Sequence, residues 1–219
     1  MLKTNKYRLY PNKEQEILIN KTFGSVRFVY NYMLKFKQDL YNQTLISYSK
    51  INCNNWCNRV LKDEYSWLCN IDKFALTNAI YNLDNAYQKF FKEHSGYPKY
   101  KSKKNNYNTY TTNYTNNNIA IDYDDNYIKL PKLGNVKAKV HRNIDGKIKN
   151  ATITRVPSGK YYVSITYECN TNETLPITNK RVGIDLGIKD LVITSDGMKY
   201  ENPHTLRNYQ SRLIKLQRK

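Results

Sequence analysis

The stretch LTNAIYNLDNAYQKFFKEHSGYPKYK, residues 76–101, holds the turning point of this sequence. Leu76, Ala79, Ile80, Leu83, Ala86, Tyr87, Phe90 and Phe91 recur with the 3.6-residue period of an amphipathic helix, which ends at His94-Ser95-Gly96. Beyond Gly96 the apolar residues alternate with period 2. The chain therefore reads as an α+β protein, helical before Gly96 and strand-rich after it.

Working back from the helix, Ser49 to Glu64 predicts another, with Cys53, Trp56, Cys57, Val60 and Leu61 on one face. Nearer the start, Ile17, Leu18 and Phe23 form an apolar stripe behind Asn12, a good N-cap, and Glu14 and Glu16 favour the positive end of the dipole. Val26, Val29, Tyr30, Met33, Phe36 and Leu40 continue at helical spacing. Gly24-Ser25 predicts a break, giving two helices joined by a short turn. Residues 3–10 are rich in strand formers and stop at Pro11, which predicts a strand.

Working forward, strands are expected near 119–123, 127–130, 136–142, 148–156 and 160–168, the last two joined by the turn Pro157-Ser158-Gly159. Asn105 to Asn118 reads as a polar strand or a connector. Strands this short and close predict a small barrel to which the N-terminal strand adds. After a polar linker, Asn170 to Asn179, a short apolar segment, a hairpin around Ser195-Asp196-Gly197 and a helix after Pro203 follow. That helix sets Leu206, Tyr209, Leu213 and Leu216 opposite Arg207, Arg212, Lys215, Arg218 and Lys219. Two strands, a hairpin turn and one helix are too little to close a core.

Charge narrows the function. The 219 residues carry 36 Lys and Arg against 18 Asp and Glu, a formal charge of +18. Lys and Arg outnumber Asp and Glu in each of 1–90, 91–150 and 151–219. Positive charge spread this widely and interleaved with aromatics points to an extended polyanion, because each neutralised phosphate releases counterions. Part of the bias is compositional, since 21 Tyr and many Asn and Lys reflect AT-rich codons. No apolar run reaches the ~18 residues of a membrane span, and Met1 to Lys6 lacks a signal-peptide core, so a cytoplasmic protein is expected. Four cysteines without a CxxC pair predict reduced thiols.

Several residues are candidates for chemistry. Tyr97, Lys99, Tyr100, Lys101, Lys103 and Lys104 form a basic, aromatic loop able to stack bases and contact phosphates, although a solvated lysine loop looks similar. Arg27 is placed to reach nucleic acid from its helix, or is an ordinary surface arginine. Arg207 and Arg212 lie on a basic face that meets nucleic acid or simply solvent. Cys53 and Cys57 share a helix face as zinc ligands would, but without further ligands nearby they read as core residues. His94 and His204 mark helix boundaries. In Val182-Gly183-Ile184-Asp185-Leu186-Gly187, a carboxylate sits between apolar strand residues and glycines. Such an Asp serves as a metal ligand, in a phosphate-binding loop, or as a plain strand-end residue.

Five segments bear a family resemblance: Phe23 to Asn31, Tyr97 to Lys103, Ile128 to Gly134, Ala151 to Ser164, and Gly183 to Gly187. In this order they resemble the amino-terminal half of the TnpB (OrfB, InsQ) proteins, transposon-encoded, RNA-guided DNA endonucleases. The resemblance implies that residues 1–10 and 96–169 form a wedge-type β-barrel, that 11–95 is an inserted helical recognition domain, and that 180–219 begins a ribonuclease-H-like (RuvC) domain. It implies guide RNA and target DNA as partners, nucleoid association when DNA is bound, and Asp185 as the first acidic Mg²⁺ ligand. The family's later Glu and Asp and its zinc ribbon do not occur within these 219 residues. One carboxylate does not organise two Mg²⁺ ions, so this chain alone is expected not to cut DNA and to hold no zinc. A nuclease-dead RNA-guided DNA-binding repressor or accessory protein is the alternative, and a plain RNA-binding remnant a third.

Overall fold

The computed structural model describes residues 1–104, 108–169 and 181–218, and the expected linker at 170–179 lies outside them. The chain divides into two compact units, Met1–Asn172 and Glu173–Lys219. Along the first unit run β1 (Leu2–Tyr10), α1 (Lys13–Thr44), α2 (Lys50–Trp56), a π turn at Cys57–Leu61, α3 (Lys62–Glu64), a 3₁₀ turn at Ser66–Asn70 and α4 (Lys73–Glu93). Six strands follow: β2 (Asn108–Asn113), β3 (Ala120–Asp122), β4 (Tyr127–Leu130), β5 (Gly134–Lys139), β6 (Lys147–Arg155) and β7 (Tyr161–Glu168).

The predicted break in the first helix is absent. Residues 13–44 form one helix of 32 residues. Asn12 caps it with a capping box: its side chain accepts from the Gln15 amide at 2.8 Å, and Gln15 reaches back to the Asn12 amide at 3.1 Å. Gly24 and Ser25 weaken helix propensity by only about 1 kcal/mol. The Ser25 hydroxyl donates to the Lys21 carbonyl one turn back, and the apolar stripe runs on past it. Ile19, Phe23, Val26, Val29, Tyr30, Met33 and Leu34 are all buried. At roughly 1.5–3 kcal/mol per large apolar side chain, this burial outweighs the glycine penalty.

The sheet has seven antiparallel strands in the order β2-β6-β7-β1-β5-β4-β3. β1 lies inside the sheet, paired with β7 from Leu2 to Leu9 and with β5 from Arg8 to Tyr10. That position explains its alternation: Asn5, Tyr7 and Leu9 are buried, and the Tyr7 hydroxyl donates to the Arg142 carbonyl at 2.8 Å. The polar tract yields a strand, β2, that pairs with β6 through hydroxyl ladders such as Thr111–Thr152 at 2.8 Å. Both long helices pack into the same hydrophobic cluster as the sheet. Phe23 meets buried Tyr110 edge to face at 5.6 Å, the Asn78 side chain donates to the Thr111 carbonyl, and the Gln15 amide group donates to the carbonyls of Leu133 and Asn135.

In the second unit, β8 (Ile184–Asp185), β9 (Asp190–Thr194) and β10 (Lys199–Glu201) form a sheet in the order β10-β9-β8, followed by α5 (Thr205–Gln217). None of its described residues is buried. Three short strands and one helix leave Ile184, Leu186, Ile188, Leu206 and Leu216 exposed.

Two glycines set opposite expectations. A Cβ at Gly24 would touch nothing within 4 Å, so Gly24→Ala is expected to raise the urea midpoint by a stability gain of about 0.5–1 kcal/mol. Gly146 has a φ of +147°, and a Cβ there would lie 2.1 Å from the Glu168 carbonyl oxygen. Gly146→Ala is expected to lower stability by about 2 kcal/mol or more in the same measurement.

Candidate nucleic-acid interface

Two pieces of sequence seventy residues apart meet on the exposed side of α1. The loop after α4 is clasped to it. The Asn31 side chain accepts from the Lys101 amide at 2.8 Å and donates to the Lys101 carbonyl at 2.9 Å. One turn or two further on, the Tyr100 hydroxyl donates to Gln38 at 3.0 Å, and Gln38 in turn donates to the Tyr97 hydroxyl at 3.4 Å. The Tyr97 ring packs edge to face on Phe90 and Tyr87, at 5.2 and 5.7 Å. The loop has a fixed course, and Arg27 shares cavity walls with Tyr100 and Lys101.

The cations of this loop differ in setting. Lys99, Lys101, Lys103 and Lys104 are all exposed as residues, but the ammonium of Lys101 is set apart. Lys101 places Nζ 4.2 Å from the ring centroid of Tyr30, where partial desolvation lowers its pKa from the usual lysine value. Its ammonium fastens the loop to the helix. Among the described residues one ion pair forms, Lys149 with Glu168, between two exposed side chains. Most of the basic groups on this chain are therefore not neutralised within it, and their field is available to an anionic partner.

The other expected residues lie in the second unit. Arg207 and Arg212 are exposed on α5. Asp185 ends β8, exposed, in register with Ile193 of β9. Gly183, two residues earlier, is fixed by exchanging hydrogen bonds with Ser195 in the hairpin turn. Among the described residues no three His, Cys, Asp or Glu side chains come together as a metal site. Asp185 by itself does not fit a two-metal centre, and no hydrolytic step follows from this geometry. Cys53 and Cys57 are buried in the core, where desolvation pushes both thiols up, Cys57 to about 11. His94 takes the left-handed C-cap position of α4, and His204 precedes α5 as its N-cap without a side-chain hydrogen bond.

Sequence reading missed Asn31, Gln38, Lys35 and an aromatic cluster of Phe28, Tyr32, Tyr65 and Trp67, whose neighbouring rings lie 4.9–6.3 Å apart. Part of the signal was available: Arg27, Asn31 and Lys35 stand at i, i+4 and i+8, one face of a helix.

Residues 1–45 match the family model of the OrfB_IS605-type helix-turn-helix domain. The matched residues here comprise β1 and the unbroken α1. The chain is 28% identical to "Putative RNA-guided DNA endonuclease InsQ" of Escherichia coli (strain K12), over 99% of this chain and 53% of that protein. It is 32% identical to a "Putative RNA-guided DNA endonuclease" of Streptomyces pristinaespiralis, over 97% of this chain and 53% of that protein. A structure titled "Cryo-EM structure of the Cas12f1-sgRNA-target DNA complex" aligns over the full chain and 61% of its own, with 12% identity and a TM-score of 0.41. The sequence places the chain in a class of transposon-associated proteins with an OrfB-type amino-terminal domain. Over nearly its whole length it is similar to the TnpB-like (OrfB, InsQ) proteins, and it spans about half the length of the two endonuclease relatives it matches.

Two outcomes test the site. Asn31→Ala removes both hydrogen bonds to Lys101, and trypsin is expected to cleave the 99–104 segment several-fold faster while circular dichroism is unchanged. At pH 8, a maleimide is expected to label exposed Cys69 in the native protein but to reach Cys53 and Cys57 only in denaturant, because burial both shields these thiols and keeps them protonated.

Proposed function

We propose that this chain is the nucleic-acid-holding part of a TnpB-like RNA-guided DNA endonuclease. In this reading the seven-stranded sheet is the wedge-type barrel, residues 11–95 are the recognition domain, and guide RNA and target DNA run across the basic face. Arg27, Lys99, Lys103 and Lys104 contact phosphates, Tyr97 and Tyr100 present aromatic surface, and Lys101 holds the loop in place. The carrying observation is the bidentate clasp between Asn31 and Lys101, which fixes the lysine loop beside Arg27. A freely solvated loop has no need of a two-bond fastening and an ammonium seated against the Tyr30 ring.

Asp185, Arg207 and Arg212 belong to the same reading: Asp185 as one acidic ligand of a RuvC-type Mg²⁺ site, the two arginines as phosphate contacts on α5. The family relationship supports these assignments. A single carboxylate leaves the remaining ligands to be supplied by residues other than those described.

The test is binding as a function of salt. Replacing Lys99, Lys103 and Lys104 together by Glu is expected to reduce the slope of log affinity against log salt by about 2, since each single-strand phosphate contact contributes about 0.7. RNA that co-purifies with the chain should be lost from that variant. An unchanged slope, with RNA still retained, would remove the loop from the interface.

A further inference from the structure

Three cavities of about 440, 450 and 470 Å³ adjoin one another along α1. The first two share Gly24, and the second and third share Arg27 and Tyr100. Joined by these shared walls, they form one trough that crosses the exposed face of the helix and runs to Asn108 and Thr109 of β2. Lys21, Arg27, Lys35 and Lys101 contribute to its walls, and among the described residues no acidic side chain lines it. Glu64 is nearby, where its hydrogen bond to Tyr65 raises that phenol's pKa, but it does not line the cavities. Trp67 walls the trough at one end and Tyr100 stands between its second and third cavities, and they remain 43% and 54% exposed.

Trp67 is held in position by Phe28 at 5.3 Å and Tyr65 at 6.2 Å, and Phe28 also packs on Tyr32. An indole fixed by other rings yet nearly half open to water is a prepared stacking surface. The absence of a side chain at Gly24 leaves the trough open where its cavities join, since an added Cβ would meet nothing within 4 Å. Cations without acids, aromatic walls and an open floor match an unpaired nucleic-acid strand, whose bases stack while its phosphates take the positive charge. A duplex keeps its bases inside and has less use for the indole.

We infer that this trough binds unpaired nucleotides, with Trp67 as the stacking wall and Gly24 as the opening that admits the strand. The inference rests on the nucleic-acid-holding role proposed above and adds the strandedness of the partner and the residues that read it. Its probes are oligouridylate, oligothymidylate and a duplex DNA of equal length, each titrated into the full chain by fluorescence anisotropy. Trp67→Ala is expected to weaken both single strands about tenfold, the loss of one base stack, and to leave duplex binding unchanged. Trp67→Phe should retain most of the affinity. Gly24→Leu, which puts a branched side chain into the trough and leaves the indole in the chain, should reproduce the loss, while Gly24→Ala should not. A greater loss on oligouridylate than on oligothymidylate assigns the trough to RNA, and the converse to DNA. Single-strand affinity that survives both Trp67→Ala and Gly24→Leu, or a loss of equal size on the duplex, overturns the inference and leaves the basic loop standing. Failure of the unmodified chain to bind any of the three probes overturns both readings.

Discussion

Helix α1 must satisfy two partners at once, and the arrangement of the first unit follows from that requirement. Its buried residues, from Ile19 to Leu34, share one hydrophobic cluster with α4 and with the sheet through Tyr110. A helix held from two sides keeps only a narrow outer face, and Lys21, Gly24, Arg27, Asn31 and Lys35 occupy it. The same packing keeps the helix continuous past Gly24, because a turn there would separate Phe23 from Val26 and break the stripe both partners need. The trough, the loop clasp and the display of Arg27 all depend on an uninterrupted α1.

The charge distribution has a second consequence. A chain with a formal charge of +18 repels itself, and among its described residues it forms one ion pair, on the surface, of the kind worth at most about 1 kcal/mol. The fold is held by apolar burial and by amide side chains that bridge helix to sheet, such as Gln15 and Asn78. The cations are left to act outward. Lys101 is the informative exception. Desolvation opposes its charge, contact with the Tyr30 ring favours it, and its backbone is fixed by Asn31. A cation seated on an aromatic ring differs in role from its neighbours Lys99, Lys103 and Lys104, though all four look alike in the sequence.

Periodicity made much of this architecture legible. The strands expected at 127–130 and 160–168 match β4 and β7 closely, and the helix read from Leu76 to Phe91 is α4, capped at His94. The expected turn at Gly24-Ser25 failed because local propensity was weighed without the packing that overrides it. The Asn and Thr tract gave no decision, since β2 becomes a strand only by pairing with β6, forty residues away. Within the interface, the basic loop and Arg27 could be named from residue type alone. The aromatic cluster could not, because Phe28 and Tyr32 meet Tyr65 and Trp67 only after α1 and the 3₁₀ turn are folded together.

The sequence by itself determined the α+β class, the excess of positive charge, the strand at the start and the likeness to TnpB-like proteins, because each is written in local pattern or in motif order. Tertiary structure alone decided that β1 lies inside the sheet, that the lysine loop is clasped to α1, and that aromatic and basic residues from three separate segments line one trough. Those facts depend on contacts between residues far apart in the chain, whose free energy exists only when both partners are in place, so no window of sequence contains them.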